Sequence, residues 1–137
     1  MSTLTIEQYF GRWMVHNDVT QERYDNAVEL VRRVNEFIAE APPALIRENP
    51  ATRSIISGNH YGGFRTLACT VGAPKSHHKQ GRAVDIFDPD NRLDDWCFKN
   101  EALLEKHKLW MEHPDATKGW AHFQTQPPGS GKRFYFP

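Results

Sequence analysis

The chain has 137 residues, seventeen basic and seventeen acidic side chains, and a formal net charge of zero. That length suits one domain around one core, and the even charge argues against a nucleic-acid partner. Aromatic residues make up 12%, which argues against disorder, and two cysteines outside any C-x-x-C pair exclude a cysteine-rich zinc module or a disulfide scaffold.

The opening "MSTLTIEQYFGRW" has no basic segment followed by an apolar one, so no signal peptide is expected. No apolar run reaches membrane-spanning length, and the expectation is a soluble monomer synthesised in a cytoplasm. A short helix is expected near Ile6 to Phe10. From Thr20 to about Ala39, Tyr24, Ala27, Val28, Val31, Val34, Phe37 and Ile38 recur at helical spacing, with Thr20 as N-cap and Pro42-Pro43 as the stop. "RSIISG", Arg53 to Gly58, reads as a short strand, followed by the glycine-rich loop "NHYGGFRTLACTVGAPK". "RAVDIF" is a second strand, and a helix is expected from about Leu93 to Lys106 with Trp96, Leu103 and Leu104 facing inward. "LWMEH" and "GWAHFQ" then read as a hairpin closed by "PDATK", with one last strand at Arg133 to Phe136. With no repeat and no linker, residues 1–137 form a single α+β domain, its helices packed on a small, mainly antiparallel sheet.

One stretch resists a purely structural reading. In "SHHKQGRAVDIFDP" a carboxylate, Asp85, sits between Val84 and Ile86, seven residues after His78. A chain that leaves a loop at His78, turns sharply at Gly81 and returns as a strand would bring these two side chains together. Zinc accepts imidazole nitrogen and carboxylate oxygen, and a catalytic zinc keeps three protein ligands and one open position. His122 is the best third ligand, because an unpartnered imidazole in the apolar strand "GWAHFQ" would be costly. Spacing alone leaves a simple hydrogen-bonded His–Asp pair as an equal alternative.

The pattern S-x-H-x-x-G-x-A-x-D followed by an aromatic-x-His strand resembles the zinc D-alanyl-D-alanine carboxypeptidase family, which includes phage L-alanyl-D-glutamate endolysins and a murein endopeptidase branch. The resemblance covers roughly the last two-thirds of the chain, from "RSIISG" to "WAHFQ". It implies the hedgehog/DD-peptidase fold, a zinc ion on His78, Asp85 and His122, and peptidoglycan stem peptides as substrate. It leaves His77 as a neighbour on the loop surface that binds no metal, and makes Ser76 a loop-shaping residue. The family's substrate-holding arginine falls on Arg65, with Arg53 the weaker alternative, since a guanidinium grips a carboxylate or carbonyl in bidentate fashion. A cell-wall substrate without a signal peptide suggests a phage enzyme acting after release or from a virion. The rival reading is a non-catalytic zinc-stabilised phage structural or peptide-binding module.

The general base is the weak point of the resemblance. Relatives carry an acid three residues before the last histidine or a histidine five before it, where this chain has Gly119 and Thr117, and Gln124 stands where an acid often follows that histidine. A hairpin with "HPDATK" as its loop pairs Glu112 with Gly119 and turns Glu112 away from His122, because side chains alternate along a strand. That register points His113 to the metal side and puts Asp115 at the loop tip. His113 and Asp115 are therefore the expected base candidates, Asp115 first.

Overall fold

Thr5 and Thr20 cap the first two helices of the computed structural model, which describes residues 2–137. Thr5 Oγ1 accepts the Gln8 N–H at 3.1 Å while Gln8 Oε1 accepts the Thr5 N–H at 3.0 Å, a capping box that starts α1, Ile6–Phe10. Thr20 Oγ1 accepts the Arg23 N–H at 3.2 Å and starts α2, Gln21–Ile38. The inner face of α2 buries Ala27, Leu30, Val34, Phe37 and Ile38. Val28, expected inside, is 45% exposed, and Leu30 supplies the contact instead. Strand β1, Ala83–Asp88, then leads into the short helices α3, Arg92–Phe98, and α4, Glu101–Lys106. Strands β2, Trp110–Glu112, β3, Gly119–Gln124, and β4, Phe134–Tyr135, complete the chain.

The sheet order is β1-β3-β2-β4. β3 is antiparallel to both β1 and β2, whereas β4 runs parallel to β2, so the sheet is mixed. The fold is α+β, with α2 against one face of the sheet. Val84, Phe123, Met111 and Phe134 stand side by side across the four strands. Phe37 of α2 packs on this row, its ring 5.6 Å from that of Phe123. Both cysteines are free thiols, Cys97 buried and Cys69 half-buried. Among the described residues no helix is long and apolar enough to cross a membrane.

Three expectations change. "RSIISG" is not a full strand: it lies along the open edge of β1 through a single antiparallel bridge, Ile56 to Ile86. The ladder stops because the Asp85 N–H donates to Gly62 O at 2.7 Å, in the following loop. The helix expected from Leu93 to Lys106 breaks at Lys99-Asn100, where Asn100 Nδ2 donates back to Trp96 O at 2.7 Å. Such local side-chain bonds are why asparagine interrupts helices.

The third change is the hairpin register. Trp110 pairs with Gln124 and Met111 with Phe123, so the next step sets Glu112 beside His122, not Gly119. The cause lies outside the hairpin. Asn91, at the start of α3, accepts the Gly119 N–H at 3.2 Å and donates to Thr117 O at 2.5 Å. Thr117 Oγ1 donates to Asp94 Oδ2 at 2.5 Å. The first half of β3 is thus held by α3 and β1 and cannot pair with β2.

Asp94 makes this latch sensitive to pH. Its side chain is fully buried, and Oδ1 has no partner among the described residues. Burial raises its pKa, the Thr117 hydrogen bond pulls the other way, and the charge of Asp88 adds to the rise, leaving it at about 7. A carboxyl whose folded pKa is raised contributes most below the ordinary carboxylate pKa, and that contribution is lost as pH climbs to the folded value. Urea unfolding from pH 4 to pH 8 should show wild type losing a few kcal/mol relative to Asp94→Asn by about pH 7, at ~1.4 kcal/mol per pKa unit, then no further change. A difference that is flat with pH would remove Asp94 from this role.

Candidate metal centre

Alternation along β1 and β3 places polar groups one residue away from the apolar row, on the opposite face of the sheet. Asp85 pairs with His122, Glu112 lies next to His122, and Glu112 pairs with Tyr135. Asp85, His122, Glu112 and Tyr135 therefore form a polar row across all four strands. They line the floor of a cavity of about 500 Å³ together with Arg65 and His78.

His78 comes from a 3₁₀ turn, His77–Gln80, preceding β1. Ser76 caps that turn, its Oγ accepting the His78 N–H at 3.2 Å, which is the loop-shaping part expected of it. Gly81 ends the turn at φ +73°, and a Cβ there would lie 2.4 Å from the Arg23 carbonyl oxygen of α2. Only glycine meets both demands. Gly63 is equally constrained, since a Cβ would stand 2.0 Å from Tyr9 O. Its own carbonyl, 2.8 Å from His78 Nδ1, accepts that ring N–H.

One nitrogen of each imidazole is thereby engaged and the other is aimed inward. His78 Nε2 lies 3.4 Å from Asp85 Oδ1, and His122 Nδ1 lies 2.9 Å from the same oxygen. His122 Nε2 is 2.8 Å from Gln124 Oε1. The inward atoms of His78, Asp85 and His122 fall within 4.8 Å of one another, all three residues are buried, and they could hold a metal ion. The donor set fits one: two imidazole nitrogens and a carboxylate oxygen converge, while each outer ring nitrogen is held by an oxygen acceptor. Among the described residues this is the sole cluster of its kind.

The electrostatics agree. Burial opposes the Asp85 charge, but His78, then the His122 hydrogen bond, outweigh it and hold the carboxyl well below its usual range. Burial likewise opposes a charged His122, and the Asp85 hydrogen bond and charge overcome it and raise the imidazole. Without an ion Asp85 thus stays ionised and favours the protonated form of His122, a proton that a bound cation would displace.

Arg65 is buried against this cluster. Its Nε donates to Tyr61 O at 2.8 Å, Nη1 to Val71 O at 3.3 Å and Nη2 to Asp85 Oδ2 at 3.4 Å. Three of its five N–H bonds are therefore spent on the protein, and the guanidinium still borders the cavity. The loop that forms this wall is tied down by buried Lys79, whose ammonium donates to Leu67 O at 3.0 Å and Pro74 O at 3.1 Å. Arg53 is remote from the cavity, at positive φ. His77 is half-buried on the cavity wall, not on the loop surface as expected, and burial first, then the charges of His122, Arg82 and His78, lower its pKa.

The two base candidates lie elsewhere. The His113 ring stacks on Phe136 at 4.5 Å and meets Phe98 edge-on, bordering a neighbouring groove. The Asp115 side chain is 73% exposed, 3.9 Å from Lys118 Nζ. Neither lines the metal cavity. Glu112 does, with Oε2 3.9 Å from His122 Nδ1. Sequence reasoning turned Glu112 away because it placed β2 against the wrong half of β3. Tyr135 carried no signal at all in "RFYFP". No family model, no curated protein and no solved structure matches the chain.

The geometry predicts about one metal ion per chain. Alanine at His78, Asp85 or His122 should abolish retention in metal analysis of the purified protein, whereas His77→Ala should keep it. Loss with His77→Ala and retention with His78→Ala would reverse the assignment.

Proposed function

We propose that the chain is a zinc peptidase with a hedgehog/DD-peptidase-like fold, acting on peptidoglycan stem peptides. The observation that carries this is the convergence of two neutral-capable imidazoles and one carboxylate on the floor of an open cavity, with a second carboxylate, Glu112, beside them. Nitrogen and oxygen donors in a set of three, with room for a fourth partner, suit catalytic zinc. A zinc ion held there would polarise the scissile carbonyl and make water acidic enough to attack at neutral pH.

The chain's own groups supply what remains. Glu112 Oε2 takes the proton of the attacking water and returns it to the departing amine. Its place beside His122 Nδ1 puts it within hydrogen-bond reach of a group between the ligands and the substrate, the first requirement of a general base. Arg65 orients Asp85 through Nη2 and borders the cavity, where it grips a peptide carboxylate or carbonyl with the N–H bonds that its three protein contacts leave over. Trp120 and Val71 give the cavity apolar walls that restrict water and contact the peptide. The motif S-x-H-x-x-G-x-A-x-D supports the same reading, as does the match between its order and the order of the three converging residues.

The test is digestion of purified peptidoglycan followed by mass spectrometry of the muropeptides, which reports both activity and the bond cut. Wild type should release fragments, and Glu112→Gln should slow release roughly 100- to 10,000-fold with metal retained. His113→Ala and Asp115→Asn should leave turnover within a few-fold. Full activity in Glu112→Gln would return the base to one of those two residues. Zinc binding without any release by wild type would leave a non-catalytic peptide-binding module.

A further inference from the structure

His122 can serve as a ligand through Nδ1 only if its proton stays on Nε2, and two residues outside the donor set enforce this. Gln124 is fully buried, with its side chain on the same face of β3 as His122. Its Nε2 donates to Gln126 O at 2.6 Å, which fixes the amide orientation, because the reverse orientation would set two oxygens against each other. Oε1 must then face His122 Nε2, at 2.8 Å. The same oxygen accepts the Tyr135 phenol at 2.5 Å, from β4 two strands away. An oxygen with no hydrogen of its own, facing both groups, requires each of them to donate. His122 Nε2 therefore carries a hydrogen, and the hydrogen that Nδ1 shares with Asp85 in the metal-free chain is the one an ion would displace, leaving Nδ1 as the atom that faces it.

We propose that Gln124 and Tyr135 are positioning residues of the metal centre: Gln124 sets the His122 tautomer and ring orientation, and Tyr135 acts through Gln124, by fixing its carbonyl. The inference rests on the reading of His78, Asp85 and His122 as a metal site. The neutral amide does a carboxylate's orienting work without a further negative charge behind the ligand. Gln126, which orients the amide, donates nothing itself and acts through its backbone carbonyl.

Zinc affinity, measured by competition with a chromophoric chelator on the full chain, tests this without reference to turnover. Gln124→Met keeps the volume and removes the acceptor, and should weaken zinc about 10- to 100-fold with an unchanged circular-dichroism spectrum. Gln124→Glu restores the acceptor although its second oxygen then faces Gln126 O, so it should bind zinc more tightly than Gln124→Met. Gln124→Leu, which also lacks the acceptor, replaces Gln124→Met if that variant fails to fold. Tyr135→Phe should weaken zinc by a smaller factor in wild type and by none in the Gln124→Met background, since its effect passes through that side chain. Equal affinity in wild type and folded Gln124→Met, or Gln124→Glu binding no more tightly than folded Gln124→Met, would overturn the role of Gln124. An undiminished Tyr135→Phe effect in the double variant would overturn the relay. If wild type itself binds no zinc, the metal reading falls and takes this inference with it, an outcome distinct from equal binding by all variants.

Discussion

The pairing of Asp85 with His122 across β1 and β3 is the constraint on which the molecule depends. On one side of that pair the sheet presents Val84, Phe123, Met111 and Phe134 to the helices; on the other it presents Asp85, His122, Glu112 and Tyr135 to the cavity. Because side chains alternate with a period of two, a slip of one residue would exchange the rows. It would turn two carboxylates and an imidazole into the hydrophobic core and expose the residues that cover Phe37. Fold and site are therefore specified by one register, and the cost of burying polar groups on the wrong side holds it in place.

A buried carboxylate between imidazoles is expensive unless every charge is compensated, and breaking such a pair typically costs 3–5 kcal/mol. The chain meets this cost locally. Asp85 faces two histidines and an arginine, and the outer nitrogens of the histidines end on Gly63 and Gln124. Asp94 shows the opposite case, a buried carboxyl lacking a cation of its own, which holds its proton near neutrality. The contrast between the two aspartates separates a group arranged to stay charged from one arranged to stay neutral. A cluster arranged to stay charged, at the floor of an open cavity, could hold a cation.

Much of this was readable before any coordinates. Helix α2 is long and amphipathic, so its span and cap followed from periodicity and Thr20. The convergence of three residues was legible because His78 and Asp85 flank a glycine that must turn, and His122 sits in a strand where a lone imidazole has no apolar purpose. What was hidden depends on contacts distant in sequence. The hairpin register is decided by Asn91 and Asp94 holding Thr117 and Gly119, and no pattern within "LWMEHPDATKGWAHFQ" records that competition. The same blindness turned Glu112 away from the cavity and brought His113 and Asp115 forward. Gln124 was conspicuous as a departure from related motifs, but its acceptor role depends on Gln126 and Tyr135, which fold back onto it from beyond the strand.

The claim on which the rest stands is that three side chains from a turn and two strands hold one ion. Anomalous scattering from crystals grown with zinc, recorded on both sides of the zinc absorption edge, addresses it directly. One peak bounded by His78 Nε2, His122 Nδ1 and an Asp85 carboxylate oxygen, at about 2.0–2.2 Å from each, is the expected result. A well-ordered cavity with no peak there, or a peak held by His77 or His113 instead, would contradict the account.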